Sequence, residues 1–438
     1  MLHKIIFPPG RAFTAYNTEC IVSLNAIHIS SPMTTPSQTI STKQKAGPSN
    51  LEFIVLMSLM MSLLALSIDA MLPALPQIGS ELGVENPNSR QLVISVIFLG
   101  LAFGQLFFGP LSDRIGRKPA IYAGYALFIT GALFAAFATS FSIMLFGRLM
   151  QGIGASAPRA VTLALVRDRF GGRRMAQVMS YIITTIVLTP MLAPLIGQII
   201  MTFSSWRAIF GGFVLFALIT LAWFALRIPE TLAPENRAPF SLKRIISATT
   251  EILKNRTSLG YTLAAGLISG AFIGYLNSSQ QILQELFALG DLFPLAFGVI
   301  ALSIGIATIS NSRLVIRFGM RFLVSWALKA ILGLALVALL AALLAAGQTP
   351  LWFFMAYLML TFFCIGILFG NMNSLAMEPL GHIAGIGAAI VGSLSTLLSM
   401  PLGTIIGQSY NGTIIPLLIG MAVLTGLAIL VVRWVEAE

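Results

Sequence analysis

The chain has 438 residues, of which 57% are hydrophobic and only 9% charged, and its mean hydropathy is +0.90. A soluble domain carries about 25% charged residues, so these charges cannot clothe a globule of this size and lipid is the expected solvent. The net charge of +11 gathers in alternate loops instead of on one basic face, which argues against a nucleic-acid partner and for loops held in the cytoplasm.

Residues 1–50 are polar, rich in Ser, Thr and Pro, and hold no apolar run of signal-peptide length. They are expected to form a disordered cytoplasmic tail, with Met33 suggested as the native start. Apolar runs of about 20 residues, enough to cross a bilayer, follow near 52–74, 91–112, 119–139, 142–166, 176–202 and 206–227. A charged segment, 228–257, interrupts them, and six more lie near 258–284, 293–312, 321–346, 350–376, 384–408 and 413–434. The pattern predicts an all-α membrane protein with twelve transmembrane helices in two six-helix halves, 51–227 and 258–438, joined by a cytoplasmic linker at 228–257.

The first span carries Asp69 near its outer end, just ahead of Pro73 and Pro76. A charge at mid-bilayer costs about 2.5–3.5 kcal/mol on the most lenient scale, so such a carboxylate is kept for a permanent cation partner or for taking and releasing a proton. After the second span comes GPLSDRIGRK, in which Gly109 and Gly116 permit a tight reversal, Asp113 is placed to clamp a neighbour, and Arg114, Arg117 and Lys118 hold the turn inside. These residues are expected to gate the cytoplasmic side. In the fourth span Arg148, Gly152, Ala155 and Arg159 are spaced i, i+4, i+7, i+11 and share a face. Arg148 lies at about the depth of Asp69, and the two are expected to couple protons, with a static salt bridge as the competing reading. Arg159 falls near mid-membrane, where it faces either a cavity or a carboxylate such as Glu378. The fifth span carries Pro190, Pro194 and Gly197 on one face, which predicts a bend.

In the second set of runs, Gly266, Gly270 and Gly274 of the seventh, and Gly385, Ala389, Gly392, Thr396, Ser399 and Gly403 of the eleventh, form stripes suited to close helix packing or sliding. The turn after the eighth run, Arg317-Phe318-Gly319-Met320-Arg321, echoes the turn around Gly116 and suggests an internal repeat. Cys20 and Cys364 form no disulfide framework, and His3, His28 and His382 have no metal-ligand spacing. No hydrolytic triad or phosphate loop is visible, so chemistry on a substrate is not expected. Arginines and lysines cluster after the even-numbered runs and in the linker, which predicts both termini in the cytoplasm.

Gly109, Leu111, Asp113, Arg114, Gly116, Arg117 and Lys118 all fall on the pattern G-x-L-x-D-R-x-G-R-K. The turn closely resembles the signature loop between the second and third spans of major facilitator superfamily transporters. SIDAMLPALPQI, RLMQGIGASAPRAVTLALVRD, MLAPLIGQ and NMNSLAMEPLGHIAGIGAAIVGSL further resemble segments of its twelve-span drug:proton antiporter branch, of the Bcr/CflA type. The likeness covers roughly residues 50–434. It implies a major facilitator fold and export of drug-like or amphipathic small molecules in exchange for protons. It also implies a monomer in a bacterial inner membrane, with no cofactor beyond the proton gradient. It sets Arg148 and Gln151 in the proton-transfer region, adds Gln151, Asn371 and Asn373 to Arg159 as cavity residues, and reads Pro190, Pro194 and Gly197 as the antiporter bend. Gln198 departs from the usual second glycine, and Pro158 with Arg159 departs from the usual small residues. A proton-coupled exporter or symporter of one specific metabolite is the alternative on the same fold.

Overall fold

The computed structural model describes residues 48–437 apart from Ala238 and Phe240. The expectations for the tail, with His3, Cys20, His28 and Met33, therefore lie outside the described residues. Every regular element is helical: α1 (Asn50–Asp69), α2 (Leu75–Glu81), α3 (Leu92–Ile115), α4 (Arg117–Ala136), α5 (Phe141–Arg169), α6 (Gly172–Phe203), α7 (Trp206–Arg227), α8 (Leu242–Lys254), α9 (Arg256–Gln280), α10 (Phe293–Phe318), α11 (Met320–Leu344), α12 (Leu351–Met377), α13 (Ala384–Gln408) and α14 (Ile415–Glu436). Among the described residues, ten helical stretches are long and apolar enough to cross a membrane. One of them, Leu351–Gln408, contains both α12 and α13, and the long α5 is outside the ten.

The first predicted span is not one helix. It stops at Asp69, makes a short tight turn at Leu72–Ala74 and restarts as α2. Pro73 and Pro76 have no N–H to give to the preceding turn, so the ladder of α1 cannot run through them. Asp69 therefore stands at a helix end, where carbonyls lack intrahelical donors.

Packing repeats along the chain. α1 packs on α5, α6 and α7, while α3 and α4 pack on α5 and α4 on α7. The helices after the linker make the corresponding set: α9 packs on α12, α13 and α14, α10 and α11 pack on α12, and α11 on α14. The two sets meet chiefly where α3 lies against α13 and α6 against α10, again a matched pair. The small-residue stripes serve this packing: Gly266, Gly270 and Gly274 of α9 lie against Leu398, Leu402 and Ile406 of α13. Gly152, on the face of α5 that carries Arg148, is covered by α3, since a Cβ there would lie 2.1 Å from the carbonyl oxygen of Ile97.

The suggested internal repeat has a backbone counterpart. Gly116 alone separates α3 from α4 with φ 107°, ψ 161°, and Gly319 alone separates α10 from α11 with φ 78°, ψ 155°. Both conformations belong to a region that only glycine occupies readily. The end of the bundle at Gly116 and Gly319, expected on the cytoplasmic side from the loop charges, is called the inner end, and the end at Glu81 and Gln408 the outer end.

The linker was expected only as a charged connection, yet it holds α8. Ala248 and Ile252 of that helix are buried, and His382 Nε2 meets Glu251 Oε1 at 2.7 Å.

Candidate functional site

Asp69 and Arg148 are both buried, at 4% and 0% exposure. The static salt bridge between them, the competing reading of the sequence, is not formed. Arg148 instead donates from Nε to the carbonyl of Val93, from one terminal nitrogen to Gln151 Oε1 and from the other to the carbonyl of Ser67, each at 2.9 Å. The reason is the break in α1, which leaves the Ser67 carbonyl in need of a donor that Arg148 supplies while placing its charge at a helix C-terminus. Phe210 closes the site, its ring centre 5.9 Å from the guanidinium carbon. Among the described residues Asp69 is thus left without a bonded cation, while Arg148 fixes the helix end beside it. Across the bundle, Tyr275 of α9 lies within electrostatic range of Asp69, and its buried hydroxyl has no hydrogen-bond partner.

α6 runs as one helix through Pro190 and Pro194 and is tied to this point. A Cβ on Gly197 would lie 1.9 Å from the carbonyl oxygen of Ala70, the residue after Asp69. Only a glycine lets α6 rest directly on the broken end of α1. Pro190 and Pro194 sit inside α6 two turns earlier, and between them the Met191 carbonyl lies against Gly298 of α10. Gln198, the departure from the family pattern, donates through Nε2 to Asp291 Oδ1 at 2.8 Å and so ties α6 to the segment leading into α10.

The outer end is closed by amides. Asn88 Nδ2 donates to the carbonyls of Gln408 and Tyr410 at 3.0 and 2.8 Å, and Gln408 Nε2 returns a bond to the Asn88 carbonyl at 2.7 Å. Gln281 Nε2 donates to Asn88 Oδ1 at 2.9 Å, Gln91 bonds Gln281, and Arg90 pairs with Glu285. Deeper in, Ser95 receives bonds from Asn277 and Thr404 at 3.0 and 2.9 Å. All of these join the helices before the linker to those after it. Among the described residues no such bond joins the two sets at the inner end; there Ala384, Gly385 and Ala388 of α13 and Arg159, Leu163 and Arg167 of α5 are exposed, although a Cβ on Gly385 would lie 3.8 Å from Arg167 Nη1. The outer end is thus bonded shut and the inner end is not.

The expected cavity residues divide. Gln151 is buried and spent on Arg148 within α5, and Asn371 is buried and exchanges amide bonds of 2.9 and 3.3 Å with Asn311, joining α12 to α10. Asn373 and Arg159 are exposed. Glu378, offered as a partner for Arg159, instead meets Arg321 at 3.6 Å.

At the inner end, Gly109 comes close to Ala389 of α13. Arg117 is buried and donates to Ser112 Oγ at 2.9 Å, Asp113 Oδ1 at 2.5 Å and Asp168 Oδ2 at 3.1 Å. Asp113 therefore clamps its own turn and not the partner helix. Glu230, unnoticed in the sequence, caps α4: its carboxylate accepts the backbone N–H groups of Arg117 and Lys118 at 2.9 and 3.0 Å and of Thr231 and Leu232 at 3.0 Å. Burial alone would raise the Glu230 carboxyl, but these backbone donors outweigh it and hold it below its ordinary range. The stability it contributes is complete above the ordinary carboxylate pKa and is lost as pH falls through the depressed one. Glu230→Gln is expected to cost about 0.5–2 kcal/mol, the usual worth of a helix cap. Melting of detergent-solubilised protein at neutral and strongly acid pH checks this: the gap between variant and wild type should narrow in acid, and a gap unchanged across pH would remove the charge from the argument.

An apolar bundle built twice on one packing scheme, bonded across at one end only and with buried charges inside, is the frame of a membrane transporter. The Major Facilitator Superfamily model matches residues 57–404, and the chain belongs to that family; it is a transporter, not an enzyme. It is 30% identical over 390 residues to the bicyclomycin resistance protein homolog of Haemophilus influenzae, covering 86% of this chain and 94% of that one. It is likewise 30% identical over 373 residues to the multidrug resistance protein MdtL of Salmonella heidelberg, covering 83% and 90%. These relatives agree with the Bcr/CflA-type resemblance. Among solved structures, the partially occluded inward open conformation of the xylose transporter XylE from E. coli superposes with a TM-score of 0.69 at 13% identity, over 87% of this chain and 96% of that one. That likeness speaks to the fold.

Proposed function

We propose that this chain is a proton-coupled antiporter that exports drug-like or amphipathic small molecules by alternating access. It crosses the inner membrane twelve times, counting α5 and separating α12 from α13, as two six-helix halves (51–227 and 258–438) on either side of the linker 228–257. Both termini are cytoplasmic, it works as a monomer, and the proton gradient is its only energy source. The observation that carries the reading is Asp69, a buried carboxylate at a helix break with no bonded cation. Its neighbour Arg148 is bound to backbone and to Gln151. Cargo enters from the open inner end; on opening of the outer amide latch, cargo leaves and a proton reaches Asp69. The names of the relatives support drug-like cargo.

Inverted membrane vesicles with an imposed pH gradient and a panel of labelled compounds test the reading. Accumulation of at least one amphipathic compound that collapses with the gradient is expected. Uptake that persists after the gradient is dissipated contradicts proton coupling.

The turn at Gly109–Lys118 is the inner gate in this reading: it closes against the smooth face of α13 when the outer latch opens. Asp113→Ala should loosen the clamp on Arg117, disfavour the inward-closed state and lower transport. The readout is thiol labelling of Ala388→Cys at the exposed inner end of α13, which should rise. An inactive Asp113→Ala protein with unchanged labelling would rule out gating by this turn.

A further inference from the structure

Resting on the transport reading, we infer that Arg159 is an anion-recognising group in the inward-open cavity and that the cargo is an amphipathic organic monoanion, a carboxylate or sulfonate. Arg159 lies ten residues from the inner end of α5 at Arg169, about 15 Å along the helix axis. Exposed apolar residues of the same helix, Ile143 and Phe146, mark its lipid side. At 100° per residue Arg159 points about 140–160° away from both. It is nevertheless exposed, so the space it meets is inside the bundle and open to water, and its charge is held there without burial in lipid.

That charge has no internal answer. Among the described residues Arg159 has no hydrogen bond, ion pair or ring contact. Among the described residues these inner-end carboxylates are engaged elsewhere: Glu52 with Arg227, Asp113 and Asp168 with Arg117, Glu230 with the start of α4, Glu251 with His382, Glu378 with Arg321 and Glu436 with Tyr261. Asp69 lies beyond them, at the outer break. Water meets this charge while the cavity is empty, and an anionic group on the cargo can take the place of that water. The guanidinium offers two parallel N–H donors to a carboxylate or sulfonate. Arg167, Arg173 and Arg174, all exposed near the inner end of the same helix and the start of α6, make a positive entrance that draws anions inward and repels cations. The apolar body of the ligand is accommodated by Leu163, exposed one turn below Arg159.

The test uses purified full-length protein in proteoliposomes with an imposed pH gradient and three probes of one shape: 2-naphthoate, its neutral primary amide and the corresponding aminomethyl cation. Wild type is expected to accumulate the carboxylate roughly tenfold or more over the other two, because a site built to bond a charged group rejects analogues lacking it. Whatever the proton stoichiometry, the carboxylate should move one charge more per turnover than the amide, read as a steeper dependence on a potassium–valinomycin clamp. Arg159→Gln should lose most carboxylate transport, keep its wild-type melting temperature and narrow the preference for carboxylate over amide; Arg159→Lys should recover part of the loss. Equal transport of the three probes by wild type, or full carboxylate transport by a well-folded Arg159→Gln, overturns the assignment. If instead the cation alone is moved under the gradient, the anion assignment fails while proton coupling stands. If no probe and no compound of a wider panel responds to the gradient, both readings fail.

Discussion

Asp69→Asn is expected to abolish uphill transport driven by a pH gradient, at least a hundredfold, while leaving folding, insertion and downhill exchange of cargo intact. The asparagine has nearly the shape of the acid and keeps a polar tip, but it cannot carry a proton. Because no cation is bonded to Asp69, the change strands no partner charge, the usual source of a 3–5 kcal/mol loss when one member of a buried pair is removed. Arg148 keeps its bonds to Ser67, Val93 and Gln151, so the end of α1 stays in place. Counterflow of labelled against unlabelled cargo in proteoliposomes separates the functions: exchange should survive and gradient-driven accumulation should vanish. Retained accumulation would take Asp69 out of the coupling role.

Gly197→Ala should be nearly as damaging for a mechanical reason. Its new methyl would lie 1.9 Å from the carbonyl oxygen of Ala70, and because the obstacle is backbone no side chain can turn aside. α6 must lift off the broken end of α1, with an overpacking cost of about 1–3 kcal/mol, and the outer closure beside Asp69 loosens with it. The expected result is a lower melting temperature and a proton leak without cargo, seen as faster collapse of a pH gradient in proteoliposomes. Gly211→Ala, with open space around its Cβ, is the control. A tight, fully active Gly197→Ala protein would show that this contact does not matter.

Much of this was visible in the chain. The charged turn at Gly109–Lys118 and its echo at Gly319 announced both the family and the repeat, because a single-residue helix reversal demands glycine locally and leaves a local trace. The runs of apolar residues located the helices to within a few positions, but the first was read straight through 52–74, although Pro73 and Pro76 after Asp69 were the available signal for the break in α1. What stayed hidden was long-range bonding. Arg148 was matched to Asp69 by depth, but a helix that ends exposes carbonyls, and backbone acceptors carry no residue signature. Glu230 caps a helix that begins 113 positions earlier, and nothing around it marks that role. Asn88, Gln91, Gln281 and Gln408 looked like span boundaries; uncharged amides at the ends of apolar runs were the available signal that they bond one another. Asn371 was assigned to the cavity by resemblance, and its actual partner, Asn311, lies 60 residues away with no local signal. In the linker, Leu242, Ile245, Ile246, Ile252 and Leu253 recur at helical spacing, and that period would have revealed α8.

The most direct measurement of the central claim is proton release from purified, detergent-solubilised protein on addition of a transported compound, followed with a pH indicator in weak buffer. An antiporter whose cargo and proton exclude one another through Asp69 should release protons in wild type and none in Asp69→Asn, with cargo binding retained in both. Equal release by the two proteins, or cargo binding to wild type without any release, would contradict it.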